Sequence, residues 1–454
     1  MLFRSQRPGA LYVGAEFAPG EVVPRIPALI DTFQEEIFGE SFLIDEPGTG
    51  AWQRNLFGGV MLDALGDAAV GGVTLSWSMW CGNDFIKVPY PAPTKTSTWA
   101  ETNLQDAGLR EAVSDRLLDW RIDRGEMVDI LREAGSDDGT VDRIEMADLR
   151  KLLKDADALG LADHVRVLAA KVVQGDRGNR LYQGDALGNL RNGSDQDHLD
   201  KLVDKWFLGK DHPTTPHTYQ PAGGDLFRNG VSYTDVDQGA LADCYFVSAL
   251  AALAHRSPSR VQDMFIDNGD GTYTVRFYTS RGADYVTVDR DLPTDANGRL
   301  VYANMGDHYA STSNELWVPL AEKAYAQLAE AGSVGWWGRR MWRTVFADNS
   351  YKGIEGGSFE HAIREIAGER ARQSRLGASS RQSIVDAYNA GDMVAIGTKD
   401  HVSQGSPFVG DHSYALIGVD PASGDFTLYN PHGSTLQVTW QEIQTDVQSW
   451  GRTL

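Results

Sequence analysis

Residues 237–254 read DQGALADCYFVSALAALA. A short polar loop runs into an apolar stretch rich in alanine and leucine, the best helix formers, and Cys244 stands at the junction. A helix starting near Asp243 places that cysteine among backbone amides without intrahelical acceptors, at the positive end of the helix dipole, where anionic sulfur is favoured. The chain of 454 residues has only one other cysteine, Cys81. No CxxC pair or zinc-type Cys/His spacing occurs, so the pattern argues for reduced thiols. Cys81, following Trp80, reads as a small buried hydrophobe.

A reactive thiol needs a base. Of ten histidines, His412 in GDHSYALIGVD stands out because it opens an apolar strand and would project its ring from a rigid sheet. The returning strand ends in LYNPHG, which sets Asn430 beside His412 across a hairpin. A neutral amide there can fix the imidazole without adding a charge. Cysteine at a helix start, histidine opening a strand and asparagine closing its partner, in that order, form a papain-type arrangement.

Here a resemblance becomes specific. Residues from about 222 to 454 resemble the protease core of the calpain family, in the motifs QGALADCYF (238–246), NELWVPLAEKAYAQL (314–328), GGSFEHAI (356–363), GDHSYALIGV (410–419) and YNPHG (429–433). The resemblance implies Cys244 as nucleophile, His412 as general base and Asn430 as its orienting group. It also implies that Gln238 donates to the oxyanion with the Cys244 backbone amide, and that Gly356 and Gly357 let substrate backbone approach. Three positions depart from the family. Ala242 replaces a glycine, at about 1 kcal/mol if a positive φ is required; Tyr245 replaces a tryptophan. His432 replaces the tryptophan that shields the His–Asn hydrogen bond, so a protonated His432 is expected to disfavour the His412 imidazolium, loosen the thiolate–imidazolium pair and move the acid loss of activity to higher pH.

The expected fold class is α+β: a papain-like two-lobed cysteine protease core (225–454), preceded by a proline-rich linker (210–224), a small all-α domain (96–209) and an N-terminal segment of unknown fold (1–95). Three- and four-residue apolar spacing marks the helices, and bacterial members of the family resemble this front region. Asp123 with Glu126, and Asp142 with Glu145, have the spacing of capping boxes. Between them AGSDDGTVDRIE (134–145) resembles a degenerate EF-hand, with Asp138, Asp142 and Glu145 as candidate metal ligands and Ala134 where the entry carboxylate belongs.

These readings make the chain a thiol endopeptidase acting on protein or peptide substrates. No cofactor is required for the chemistry, Ca2+ is a possible ligand, and the front region is a regulator or pro-region. The alternatives are transglutaminase-like acyl transfer to an amine and a catalytically silent, calcium-responsive interaction protein. A net charge of -21 argues against nucleic-acid and anionic-membrane partners. No signal-peptide core or membrane-length apolar run is present, which points to a cytoplasmic or non-classically exported protein. Nicking is expected to concentrate at 209–224 or 89–99.

Overall fold

The computed structural model describes residues 97–117, 121–332 and 349–454, together with the backbone of strands Tyr12–Glu16, Ser76–Cys81 and Asp84–Lys87. The chain divides into two compact units, Met1–Ile122 and Asp123–Leu454. In the first, the three strands pair antiparallel in sequence order, and helices Ser97–Asn103 and Ala107–Arg116 follow. The burial expected for Cys81 and its surroundings lies outside the described side chains.

The second unit opens with four helices, α1 (Arg124–Glu133), α2 (Arg143–Lys154), α3 (Asp163–Val173) and α4 (Gln196–Trp206). Both capping boxes form: Asp123 and Glu126 start α1, and Asp142 and Glu145 start α2. Two-residue strands β1 (Thr140–Val141) and β2 (Ser194–Asp195) pair antiparallel and tie together the entries to α2 and α4.

Strand β3 (Thr218–Pro221) leads to the first lobe, where α5 (Cys244–Arg256) begins one residue after Asp243. Strands β4 (Phe265–Asp267), β5 (Thr272–Thr279) and β6 (Gly282–Asp289) form an antiparallel sheet with β5 central. Strand β7 (Asp291–Thr294) then pairs back onto β3. Helix α6 (Trp317–Glu330) is buried along its whole length, and the Tyr325 ring stacks on Phe246 of α5 at 4.0 Å. A helix apolar on all sides belongs in a core, and the polar residues it carries inward need partners there. Helix α7 (Phe359–Ala367) completes this lobe.

The second lobe is a six-stranded antiparallel sheet of β8 (Ala371–Arg375), β9 (Val394–Thr398), β10 (Ser413–Val419), β11 (Phe426–Asn430), β12 (Ser434–Val438) and β13 (Val447–Thr453), in the order β8-β13-β9-β10-β11-β12. Ile396, Tyr414, Leu416, Phe426 and Leu428 fill its own core. The α+β, two-lobed, papain-like class is therefore realised.

The stretch 210–224, whose prolines mark a linker by composition, is part of the fold. Asp211 is 2% exposed, Thr218–Pro221 is a paired strand, and the helices ahead of it are fastened to the first lobe. Lys205 of α4, fully buried, binds Asp211 and reaches Glu330 of α6 at 2.7 Å. Lys171 of α3 pairs with Asp284 of β6 at 2.6 Å and donates to the Tyr285 carbonyl. The unit boundary accordingly falls at 122/123, with the helices 123–209 inside the larger unit.

Candidate active site

Cys244 is half-buried at the first turn of α5, where amides lack helical acceptors. The amides of Ser413 and Tyr245 also hydrogen-bond its sulfur. Ser413 opens β10, and its hydroxyl bonds that of Ser248 at 2.8 Å in the interior, pinning the nucleophile's helix to the histidine's strand. His412, 8% exposed, is held by its main chain: its N–H donates to Thr398 Oγ1 at 2.9 Å and its carbonyl accepts from the Thr398 amide.

His412 Nε2 lies 2.9 Å from Asn430 Oδ1. The His432 backbone N–H, which can only donate, reaches the same oxygen at 3.1 Å. That identifies the Asn430 atom as an acceptor, so His412 Nε2 carries the hydrogen. In the neutral imidazole Nδ1 is then the free lone pair. The hairpin read from sequence supplies this geometry, since β10 and β11 pair antiparallel with Ala415 opposite Tyr429.

A cleft of about 120 Å3 between the lobes is lined by Cys244, Tyr245 and Gly357 on one side, and by Thr398, His412 and Trp450 on the other. Burial pushes the Cys244 thiol up to about 11, outweighing the amides that lower it. Burial also holds the His412 imidazole below its ordinary value, against the Asn430 hydrogen bond that raises it. Both shifts oppose ionisation of the separate groups, so burial acts on Cys244 against the helix end.

The other expected residues divide. Gly357 lines the cleft and Gly356 does not. Gly356 has φ +70, and a Cβ on Gly357 would fall 2.3 Å from the Tyr245 ring, so each glycine has a demand from the chain itself. Tyr245 fits its site: it is buried, and its hydroxyl donates to the Ile354 carbonyl at 3.0 Å. Ala242 is not among the residues with positive φ, so the backbone penalty expected there does not arise. The Gln238 amide donates to the Leu241 carbonyl at 2.6 Å and to Asp243 at 3.3 Å, and Gln238 is not among the residues lining the cleft. The His432 ring stacks on that of His412, with centroids 5.1 Å apart and planes within 4°.

In the helical region, Asp138 accepts from the Thr140 amide and hydroxyl. Asp142 caps α2, and Glu145 accepts from the amides of Asp142 and Gly135. Each carboxylate thus has donors from the chain, and the three do not form one converging cluster among the described residues. The residues whose roles sequence reasoning missed are Thr398, which lies in no motif, and Ser413, which lies in GDHSYALIGV but acts through a hydroxyl and an amide that the motif does not single out.

A thiol on a helix start thus lines one cleft with a strand-borne histidine bonded to asparagine, an arrangement similar to that of papain-like cysteine peptidases. Residues 215–334 match the calpain family cysteine protease profile. The calpain-type cysteine protease DEK1 of Zea mays is 30% identical over 240 residues, covering 49% of this chain and 10% of the maize protein. Human calpain-9 is 27% identical over 262 residues, covering 52% of this chain and 34% of its own length. The chain thus spans from a tenth to a third of these relatives, and its residues 215–334 are calpain-like cysteine protease sequence. Among the described residues no helix is long and apolar enough to cross a membrane.

Proposed function

We propose that the chain is a thiol endopeptidase that cleaves protein or peptide substrates through a Cys244 acyl-enzyme. The observation that supports this best is the tautomer of His412: with Nε2–H bound to Asn430, the Nδ1 lone pair is the proton acceptor available to Cys244. The thiol proton passes to Nδ1 as sulfur attacks the peptide carbonyl. The imidazolium returns that proton to the leaving amine, and water activated by the same nitrogen releases the acyl group.

The Cys244 backbone N–H at the helix end serves the developing oxyanion, where one lost donor typically costs about 3 to 4 kcal/mol. Gln238 joins it only after its amide leaves Leu241 and Asp243. The helices 123–209 act as a brace of the catalytic unit through Lys205 and Lys171, a role that suits them better than that of a removable pro-region. Calcium at Asp138, Asp142 and Glu145 requires these carboxylates to give up their turn and capping bonds. Casein digestion by the full chain and by Cys244→Ala, each with calcium and with chelator, tests the reading. Cleavage that survives Cys244→Ala overturns it, and ligation of an added amine in place of cleavage favours acyl transfer to amines.

A further inference from the structure

Beneath the nucleophile lie two carboxyl groups that the chemistry above does not use. Asp243, the residue before Cys244, is 0% exposed, and Glu322 of α6 is 1% exposed. One oxygen of each has a donor: Asp243 Oδ1 accepts from Gln238 Nε2 at 3.3 Å, and Glu322 Oε2 accepts from the Ala303 amide at 3.1 Å. The remaining oxygens, Asp243 Oδ2 and Glu322 Oε1, are buried with no other donor. The two side chains hydrogen-bond each other. Two carboxylates cannot do so without a proton between them.

We propose that Asp243 and Glu322 hold one proton between Oδ2 and Oε1, and that this acid pair is a positioning element that anchors the Gln238 loop and the start of α5 to α6 while keeping one negative charge below Cys244. Its meaning for catalysis rests on Cys244 being the nucleophile; its existence does not. Burial raises both groups, Asp243 to about 7 and Glu322 well above its ordinary value. The pair titrates as a unit, and burial, the larger influence on both groups, favours keeping a proton in it. The groups facing the pair are Glu355, Tyr302, Tyr351 and Cys244. Among the described residues neither carboxyl forms an ion pair with a lysine, arginine or histidine, and neighbouring Lys323 is bound to Asp289. The proton therefore has no cation to replace it. A short O–H···O⁻ bond holds the site together, and loss of the proton leaves two buried charges in repulsion.

Because the folded-state values lie above those of free carboxyls, the stabilising contribution is complete below the ordinary carboxyl range. It is lost as pH rises through the pair's own titration. Glu322→Gln keeps a donor toward Asp243 and an acceptor for Ala303 at every pH. In full-length chain carrying Cys244→Ala, the native pair should lose several degrees more Tm between pH 6 and pH 9 than the chain that also carries Glu322→Gln. Parallel curves overturn the shared proton, and so does an isosteric Glu322→Gln chain that is unfolded at both pH values. With Cys244 present, Asp243→Asn/Glu322→Gln removes the charge that raises the thiol, so iodoacetamide should alkylate Cys244 several-fold faster at pH 8, as read by peptide mass. An unchanged rate overturns the electrostatic role. Neither readout uses peptide cleavage, so a chain that cleaves nothing would defeat the protease reading while leaving this one standing.

Discussion

The loop 134–145 and the hairpin 412–430 both present polar side chains at tight turns, and both read from sequence as sites. In the loop, the carboxylates of Asp138, Asp142 and Glu145 accept hydrogen bonds from amides and hydroxyls of their own turn and helix start. In the hairpin, Asn430 and Thr398 fix His412 from two sides and leave Nδ1 without a hydrogen bond among the described residues, in a residue that lines the same cleft as Cys244. A capped turn and a reactive site are built from the same kinds of residue. The difference is that the site keeps one polar atom uncommitted and aims it into a cleft.

That contrast is broken most sharply at its reactive end. Cys244→Ala and His412→Ala should each lower kcat by about 10³-fold or more, while circular dichroism remains that of the parent. Asn430→Ala, which loses the tautomer lock and keeps the base, should lose less, and equal losses for His412→Ala and Asn430→Ala would give Asn430 more than an orienting role. Lys205→Met should destabilise the unit by about 3–5 kcal/mol, because Asp211 and Glu330 remain buried without their cation. Urea denaturation of the Cys244→Ala chain measures it. At the capped end, Glu145→Ala should cost about 1 kcal/mol of stability and leave peptide cleavage unaltered.

The smallest effect is one of pH. Burial and the His432 charge both lower His412, and the base must be unprotonated, so activity should persist below pH ~6.5, the ordinary imidazole value. His432→Gln removes the charge stacked 5.1 Å away, so His412 should rise and the acid limb of kcat/KM should move to higher pH by a fraction of a unit. This is the opposite of what an ion-pair resting state implies for removal of that charge, and the profile of the two proteins distinguishes them. Superimposed profiles would show that the stacked ring carries no charge that His412 senses.

What could be read from the chain alone was whatever a few neighbouring residues decide. Asp123 with Glu126 and Asp142 with Glu145 announce helix starts within four positions, and the Cys244 helix and the His412–Asn430 hairpin are set by local apolar patterns. Hidden from that reading were contacts between residues far apart in sequence: Lys205 with Glu330, Ser248 with Ser413, and Ala303 with Glu322. The Gln238 amide illustrates the limit, since its motif names a role while its partners in the fold, Leu241 and Asp243, point it elsewhere. Proline content suggested a linker at 210–224, yet Thr218–Pro221 within it pairs with Asp291–Thr294 as a strand.

The buried lysines ahead of that strand change what a severed chain would look like. A single break in the backbone between residues 209 and 217 would leave Thr218–Pro221 zipped to its partner strand, and Lys205 and Lys171 still inserted among acids of the other fragment. The two pieces would separate on a denaturing gel and travel together through a sizing column. Such a protein can be cut in two and remain one particle.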